Sequence, residues 1–174
     1  MKQWRILIPS LVAVSAIPFV SMVGCNKPKP TPPQPEPEVE KFYVNNPIKE
    51  GDINYLYSNE ITVIPHQDYD VIINVADFAT WPEGGQDKCS IWPSHLEEIT
   101  AADIDVKSIY VGETEIPPDY SEDQPWYGFV VDETGGWIQI YNTPITSTSI
   151  ITATFAFTIE RAVRVSFTDK TMDI

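Results

Sequence analysis

Residues 150–167 read IITATFAFTIERAVRVSF, and this stretch decides the fold. Apolar residues recur at every second position, which is the period at which the side chains of a β-strand return to the same face. The pattern therefore predicts two strands, each buried on one face and separated at Glu160-Arg161. The positions that share the buried face are Ile151, Ala153, Phe155, Phe157 and Ile159 in the first strand, and Val163, Val165 and Phe167 in the second.

Similar strand patterns occur upstream. Residues 69–76 (YDVIINVA) alternate in the same way, and residues 61–64 (ITVI) form a short β-branched run that ends at Pro65. Residues 104–111 (IDVKSIYV) also alternate, but their register slips by one position. The slip predicts a β-bulge near Lys107-Ser108.

Two further stretches predict local structure. Residues 127–132 (YGFVVD) and 137–141 (WIQIY) flank Glu133-Thr134-Gly135-Gly136, which predicts two strands joined by a tight glycine turn. Ser94-His95-Leu96-Glu97 has the spacing of a capping box, so a short helical turn is expected there. We expect no other helix.

About seven to eight short strands with turn signals between them predict an all-β protein, an antiparallel β-sandwich. Residues 95–170 contain a short turn, IDVKSIYVGETEI, a tight hairpin and a long strand with alternating threonines. This order resembles immunoglobulin-like modules of bacterial surface proteins. The resemblance implies an immunoglobulin-like sandwich, although the Cys…Trp…Cys pattern of antibody domains is absent.

The N-terminal segment has the features of a secretory signal. Lys2 and Arg5 precede an apolar run, 6–23, that is interrupted by Pro9 and Pro18. A transmembrane helix needs about 20 consecutive apolar residues. This run is slightly shorter and is broken twice, so a cleavable signal peptide is the better interpretation.

The run ends in Met22-Val23-Gly24-Cys25, which resembles the lipobox of bacterial lipoproteins. The resemblance implies a diacylglyceryl thioether on Cys25 and cleavage before it, which makes residues 1–24 the signal peptide. It also implies a lipid-anchored protein at the cell membrane or the outer membrane, with its domain outside the cytoplasm. An uncleaved signal anchor, or ordinary cleavage beside an incidental cysteine, remains an alternative.

Residues 25–41 comprise the cysteine and a proline-rich linker, and the single domain is expected over 42–174. The linker, NKPKPTPPQPEPEVEK, contains six prolines. Proline fixes φ and disfavours helix in the residue before it, so the linker is expected to adopt polyproline II. At about 3.1 Å per residue it would extend on the order of 50 Å.

The expected domain is strongly acidic. It contains six Lys and Arg residues against 22 Asp and Glu, a formal net charge of −16. This charge argues against binding to nucleic acid or lying flat on an anionic membrane, and it is compatible with cationic partners or Ca²⁺. Cys89 is the one cysteine left once Cys25 is lipidated, so no disulfide is expected within the domain. We interpret Cys89 as a small buried residue, and a catalytic dyad with His95 as the weaker alternative.

Carboxylates supply the only candidate metal ligands. Oxygen ligands favour Ca²⁺, but no EF-hand loop is present and no zinc motif is found. We therefore expect no metal and no cofactor. If calcium binds at the loops of the sandwich, the candidate ligands are Asp103, Asp105, Asp119, Glu122 and Asp123.

Aromatic residues are the best candidates for ligand contact, since exposed Trp and Tyr rings stack on sugars or anchor protein partners. The candidates, which lie in or beside polar loops, are Trp81, Trp92, Trp126 and Tyr127. The sequence thus predicts a lipid-anchored surface protein that serves binding, adhesion or assembly without catalysis. A carbohydrate-binding module is the alternative, and an exported hydrolase is less favoured.

Overall fold

The computed structural model describes residues 39–78, 80–94, 99–132 and 135–169. They belong to one compact unit that spans 37–174. The strands of the described residues are β1 (Glu40–Val44), β2 (Asn46–Glu50), β3 (Ile53–Val63), β4 (Asp68–Asn74), β5 (Cys89–Trp92), β6 (Ile104–Val111), β7 (Thr114–Glu115), β8 (Trp126–Asp132), β9 (Gly135–Tyr141), β10 (Ile150–Phe157) and β11 (Arg161–Thr168).

These strands form two sheets that pack as a β-sandwich, which confirms the predicted fold class. Sheet A has the order β1-β4-β10-β6-β7, and sheet B has the order β2-β3-β11-β5-β9-β8. The strand pairs are antiparallel except for β1 and β4, which are parallel. After β1 the chain leaves sheet A at Asn45 and forms β2 and β3 of sheet B. It then returns to sheet A as β4, which runs in the same direction as β1.

The core lies between the sheets and consists of the alternating positions that the sequence predicts. In β10 and β11, seven of the eight predicted positions are at most 2% exposed; Ile159 lies beyond the end of β10 and is partly exposed. The predicted face of 69–76 is likewise fully buried. Burying one such Val, Ile or Phe side chain contributes about 1.5–3 kcal/mol, so these faces hold the two sheets together.

One local prediction is confirmed, and a second is confirmed in part. In the pairing of β6 with β10, Ser108 lies opposite Thr154 and Val106 opposite Phe155. Lys107 is therefore the extra residue of a β-bulge. The two strands of the hairpin, β8 and β9, pair as predicted, but Asp132 lies opposite Gly135, so Gly135 and Gly136 belong to β9 and not to the turn in which they were predicted.

The observed strands differ from the predicted ones in number and length. Within the described ranges eleven strands replace the seven or eight expected, and β1, β2, β5 and β7 were not predicted as strands. β1 begins at Glu40, so it includes the last two residues assigned to the linker. A 3-10 turn, Val75–Asp77, follows β4, where continued strand was predicted.

Several predictions fall outside the described residues. They are the signal peptide, Cys25, most of the linker, and the predicted helical turn at its residues 95–97. The immunoglobulin-like character of the sandwich stays a prediction.

Candidate binding surface

Trp126 is one of the sequence candidates, and it lies at the start of β8 directly opposite Tyr141 of β9. The two rings are stacked, with centroids 4.1 Å apart and planes inclined by 7°. Gly128 lies two residues along the same face of β8. A Cβ there would come within 3.0 Å of the Trp126 ring, so the glycine leaves the space that the indole occupies.

Trp126 faces away from the core because strand residues alternate between faces. Its neighbour Tyr127 faces the core and is partly buried against it, as is Phe129. Of this candidate pair, Trp126 is therefore available at the surface, whereas Tyr127 packs inward.

The loop between β7 and β8 adds a third ring to this surface. Tyr120 meets Trp126 edge to face, at 5.1 Å between centroids, and its residue is 74% exposed. We call Tyr120, Trp126 and Tyr141 the surface aromatic cluster.

Asn142 holds the loop that carries Tyr120. It lies just after β9 with φ at 52°, a left-handed conformation that asparagine tolerates better than most residues. Its Nδ2 lies 3.2, 3.0 and 3.3 Å from the carbonyl oxygens of Ser121, Glu122 and Gln124 and donates hydrogen bonds to them. One side chain thus fixes the loop against the hairpin.

The loop that carries Tyr120 contains three exposed carboxylates, those of Asp119, Glu122 and Asp123. On the core-facing side of β8, burial raises the pKa of Tyr127, and the carboxylates of Asp105, Asp119 and Glu115 raise it further. Lys88 is the cation near the rings, with Nζ 6.0 Å from the centroid of Tyr141. This electrostatic environment favours a ligand with positive charge over an anionic one.

The other two tryptophan candidates have structural roles. Trp81 stacks on the buried Phe167 at 5.9 Å, and its Nε1 donates a hydrogen bond to the carbonyl oxygen of Ile145 at 3.0 Å. Trp92 is 9% exposed and stacks on the buried Trp137 at 4.8 Å. The structure therefore separates these two rings from Trp126, although all three follow or precede polar loops in the sequence.

The five calcium candidates do not form one site. Asp103 accepts hydrogen bonds from the backbone N–H and the hydroxyl of Thr100, which lower its pKa. Asp105 pairs with Lys107, which raises the pKa of the lysine. Across the described residues, no group of three or more His, Cys, Asp or Glu side chains is arranged to hold a metal ion. Asp119, Glu122 and Asp123 lie on the loop that carries Tyr120.

Cys89 lies in the core of the sandwich, where burial raises the pKa of its thiol. A thiol in this setting is a poor nucleophile because the thiolate is disfavoured. His95 lies outside the described residues.

Three residues of the surface were not singled out from sequence as ligand candidates: Tyr120, Tyr141 and Asn142. The position of Tyr141 depends on the hairpin register: the observed pairing of Asp132 with Gly135 places Tyr141 opposite Trp126, whereas the turn predicted over 133–136 does not. Asn142 holds the loop of Tyr120 through hydrogen bonds to backbone carbonyl oxygens, and a loop contact of this kind has no periodic signal in the sequence.

Within the described ranges, no helix has the length and apolar character needed to cross a membrane. No family model, no curated protein and no solved structure matches this chain.

Proposed function

We propose that the protein is a lipid-anchored surface protein whose sandwich binds a partner without catalysis. The proposal combines two parts of the chain. The segment that ends in Cys25 and the proline-rich linker support anchoring and display. The observation that carries the binding role is the surface aromatic cluster, in which Tyr120 is 74% exposed beside Trp126.

The cluster suits binding because large aromatic rings bury much area for little loss of side-chain freedom. Tyr120 sits on a loop that Asn142 fastens, so part of the ordering cost is already met before a partner arrives. The linker would act as a spacer that extends about 3.1 Å per residue. The mature protein would then present this surface away from the lipid headgroups.

Detergent phase partitioning tests the anchoring half of the proposal. We expect the wild-type protein in the detergent phase and labelled by a fatty-acid precursor, because stable anchoring needs two or more acyl chains. Cys25→Ser should lose the label. Cys89→Ala is the matched control and should keep it, since this second cysteine lies in the core. Unchanged labelling of Cys25→Ser would contradict the proposal.

A carbohydrate-binding module is the second candidate, favoured by the exposure of the Tyr120 ring. Trp126 and Tyr141 stack on each other, so one face of each ring is covered. The two rings therefore do not form a flat row on which a sugar could stack. Titration with a glycan panel would quench tryptophan fluorescence if this candidate is right, and Tyr120→Ala would abolish the effect. Identical quenching in the Tyr120→Ala variant would remove the cluster as the sugar site.

A further inference from the structure

Among the described residues the two sheets have four edge strands, and three of them carry features that discourage pairing with another chain. β2 contains Pro47 and Lys49, and proline cannot donate a ladder hydrogen bond. β7 has only two residues. β1 begins with Glu40-Lys41, and the side chain of Asn59 accepts a hydrogen bond from its Tyr43 N–H at 3.2 Å.

β8 is the exception. It is seven residues long and reads WYGFVVD, so it contains no proline and no charge before its last residue. It pairs with β9 over its whole length without a bulge. A long, regular and apolar edge is the kind that accepts an added strand.

The hydrogen-bonding groups on this edge can be assigned from the ladder. The Tyr127 N–H donates to the carbonyl oxygen of Pro117 at 2.9 Å, so it points away from β9, and the outward edge is already paired within the chain at this residue. Outward and inward backbone groups alternate along an antiparallel strand, and Phe129 and Val131 therefore also point outward. Among the described residues, neither has a backbone hydrogen bond on the outward side. Val131 is 54% exposed.

The stretch of chain that contains this edge is rich in acidic residues, and the basic side chains near it are Lys88, 6.0 Å from the Tyr141 ring centroid, and Lys107, which pairs with Asp105. From Ser108 to Glu160 the chain has eight Asp and Glu residues and no Lys, Arg or His. The stretch contains β7, the loop of Tyr120 and all of β8 and β9. The effect reaches the start of β8, where Asp105, Asp119 and Glu115 act on the Tyr127 hydroxyl.

We propose that the outward edge of β8 binds an extended, basic segment of a partner protein as an added strand. Phe129 and Val131 each offer one N–H and one C=O to that strand. Lysine or arginine side chains of the segment would meet carboxylates of the surrounding acidic stretch. A second copy of this chain fits less well, because each copy has a formal net charge of −14 and would bring the same carboxylates.

This inference rests on the proposed binding function and names the chemistry of the partner. The probe is a fluorescent eight-residue peptide of alternating threonine and lysine, titrated into the full-length protein in detergent micelles and followed by anisotropy. A peptide with glutamate in place of lysine is the control. We expect saturable binding of the lysine peptide that weakens as salt rises from ~20 mM to ~500 mM, and no binding of the glutamate peptide.

Variants of Val131 locate the binding to the edge. Val131→Pro removes one outward donor and should weaken the lysine peptide about tenfold or more, whereas Val131→Thr keeps the donor and should stay within about twofold. Val131→Lys leaves the backbone intact and should also weaken binding through repulsion, which covers the case in which the proline variant fails to fold. Hydrogen exchange at Phe129 and Val131 should slow when the lysine peptide is added.

Three outcomes would overturn the inference. Absence of lysine-peptide binding would remove it, and so would binding that Val131→Pro and Val131→Lys leave unchanged, since the peptide would then sit elsewhere on the acidic surface. The third outcome is a protein that sediments as a dimer and whose Phe129 and Val131 amides are already protected from exchange before peptide is added. That result would assign the edge to a second copy of the chain. Each of these results is independent of fatty-acid labelling at Cys25, so a failure here is distinguishable from a failure of the anchoring proposal.

Discussion

Two stacked aromatic pairs lie on the same sheet and differ in what surrounds them. Trp92 and Trp137 stack at 4.8 Å and are 9% and 1% exposed. Trp126 and Tyr141 stack at 4.1 Å and are only partly buried, beside the exposed Tyr120. Stacking geometry alone therefore does not distinguish a structural pair from a binding surface; the exposure of the rings and their polar neighbours do.

The buried pair is also tied into a hydrogen-bond network. Gln139 Oε1 accepts from Trp137 Nε1 at 3.2 Å and from the Ser90 hydroxyl at 3.1 Å, and its Nε2 donates to the carbonyl oxygen of Cys89. Trp92 Nε1 is buried, and it has no hydrogen-bond partner among the described residues. Within that part of the chain, the indole of the pair that makes a polar contact is therefore Trp137.

The largest effect is expected for Trp137→Ala. Removing a fully buried indole leaves a cavity and should lower the free energy of unfolding by about 3–5 kcal/mol. Urea denaturation measures this value. A loss below about 1 kcal/mol would mean that the buried pair contributes no more than the surface pair.

The second-largest loss of stability is expected at Gly136, for which Gly128 of the same hairpin gives the comparison. A Cβ on Gly136 would clash with the Ile99 carbonyl oxygen and lie 2.7 Å from the Phe129 ring, so Gly136→Ala should cost about 1–3 kcal/mol. Gly128→Ala is the matched control, because its Cβ would meet only the Trp126 ring at 3.0 Å. We expect a smaller loss of stability for this control in the same urea experiment. Equal losses would contradict the contrast between the two regions.

A double-mutant cycle sharpens the comparison further. For Trp126→Ala and Tyr141→Ala we expect a coupling energy of about 0.5–1.5 kcal/mol, the usual value for an aromatic pair. Trp126→Ala alone should change stability far less than Trp137→Ala. A coupling energy near zero would show that the surface rings do not stabilise each other.

The smallest effect is expected at Asp103, away from both pairs. Hydrogen bonds from Thr100 lower its pKa in the folded state. The stability that it contributes is therefore present above the pKa of the unfolded chain, about 4, and is lost as pH falls through the lower folded value. Asp103 is partly exposed, so solvent screens the interaction and the contribution is below about 1 kcal/mol. Unfolding of Asp103→Ala, followed from pH 7 to pH 2, should show a smaller acid-side loss than the wild type.

The sequence predicts the core strands because burial on one face leaves a periodic pattern. It even locates the bulge at Lys107, where the apolar alternation slips. β2 was not predicted because it is exposed at every position, and β5 because it is buried at every position. Neither strand has an apolar and a polar face that alternate.

The candidate surface was only partly predictable for a different reason. Trp81, Trp92 and Trp126 have similar neighbours in the sequence, but what covers each ring comes from distant residues, such as Phe167 for Trp81. The role of Asn142 depends on carbonyl oxygens about 20 residues earlier in the chain. Long-range packing of this kind has no local signature.

The central claim is that the sandwich is displayed from a lipid on Cys25, and intact-mass analysis of the mature N-terminus tests it most directly. We predict an N-terminal peptide that begins at Cys25 and carries a diacylglyceryl group. A free thiol at Cys25, or a peptide that still contains residues 1–24, would contradict the claim.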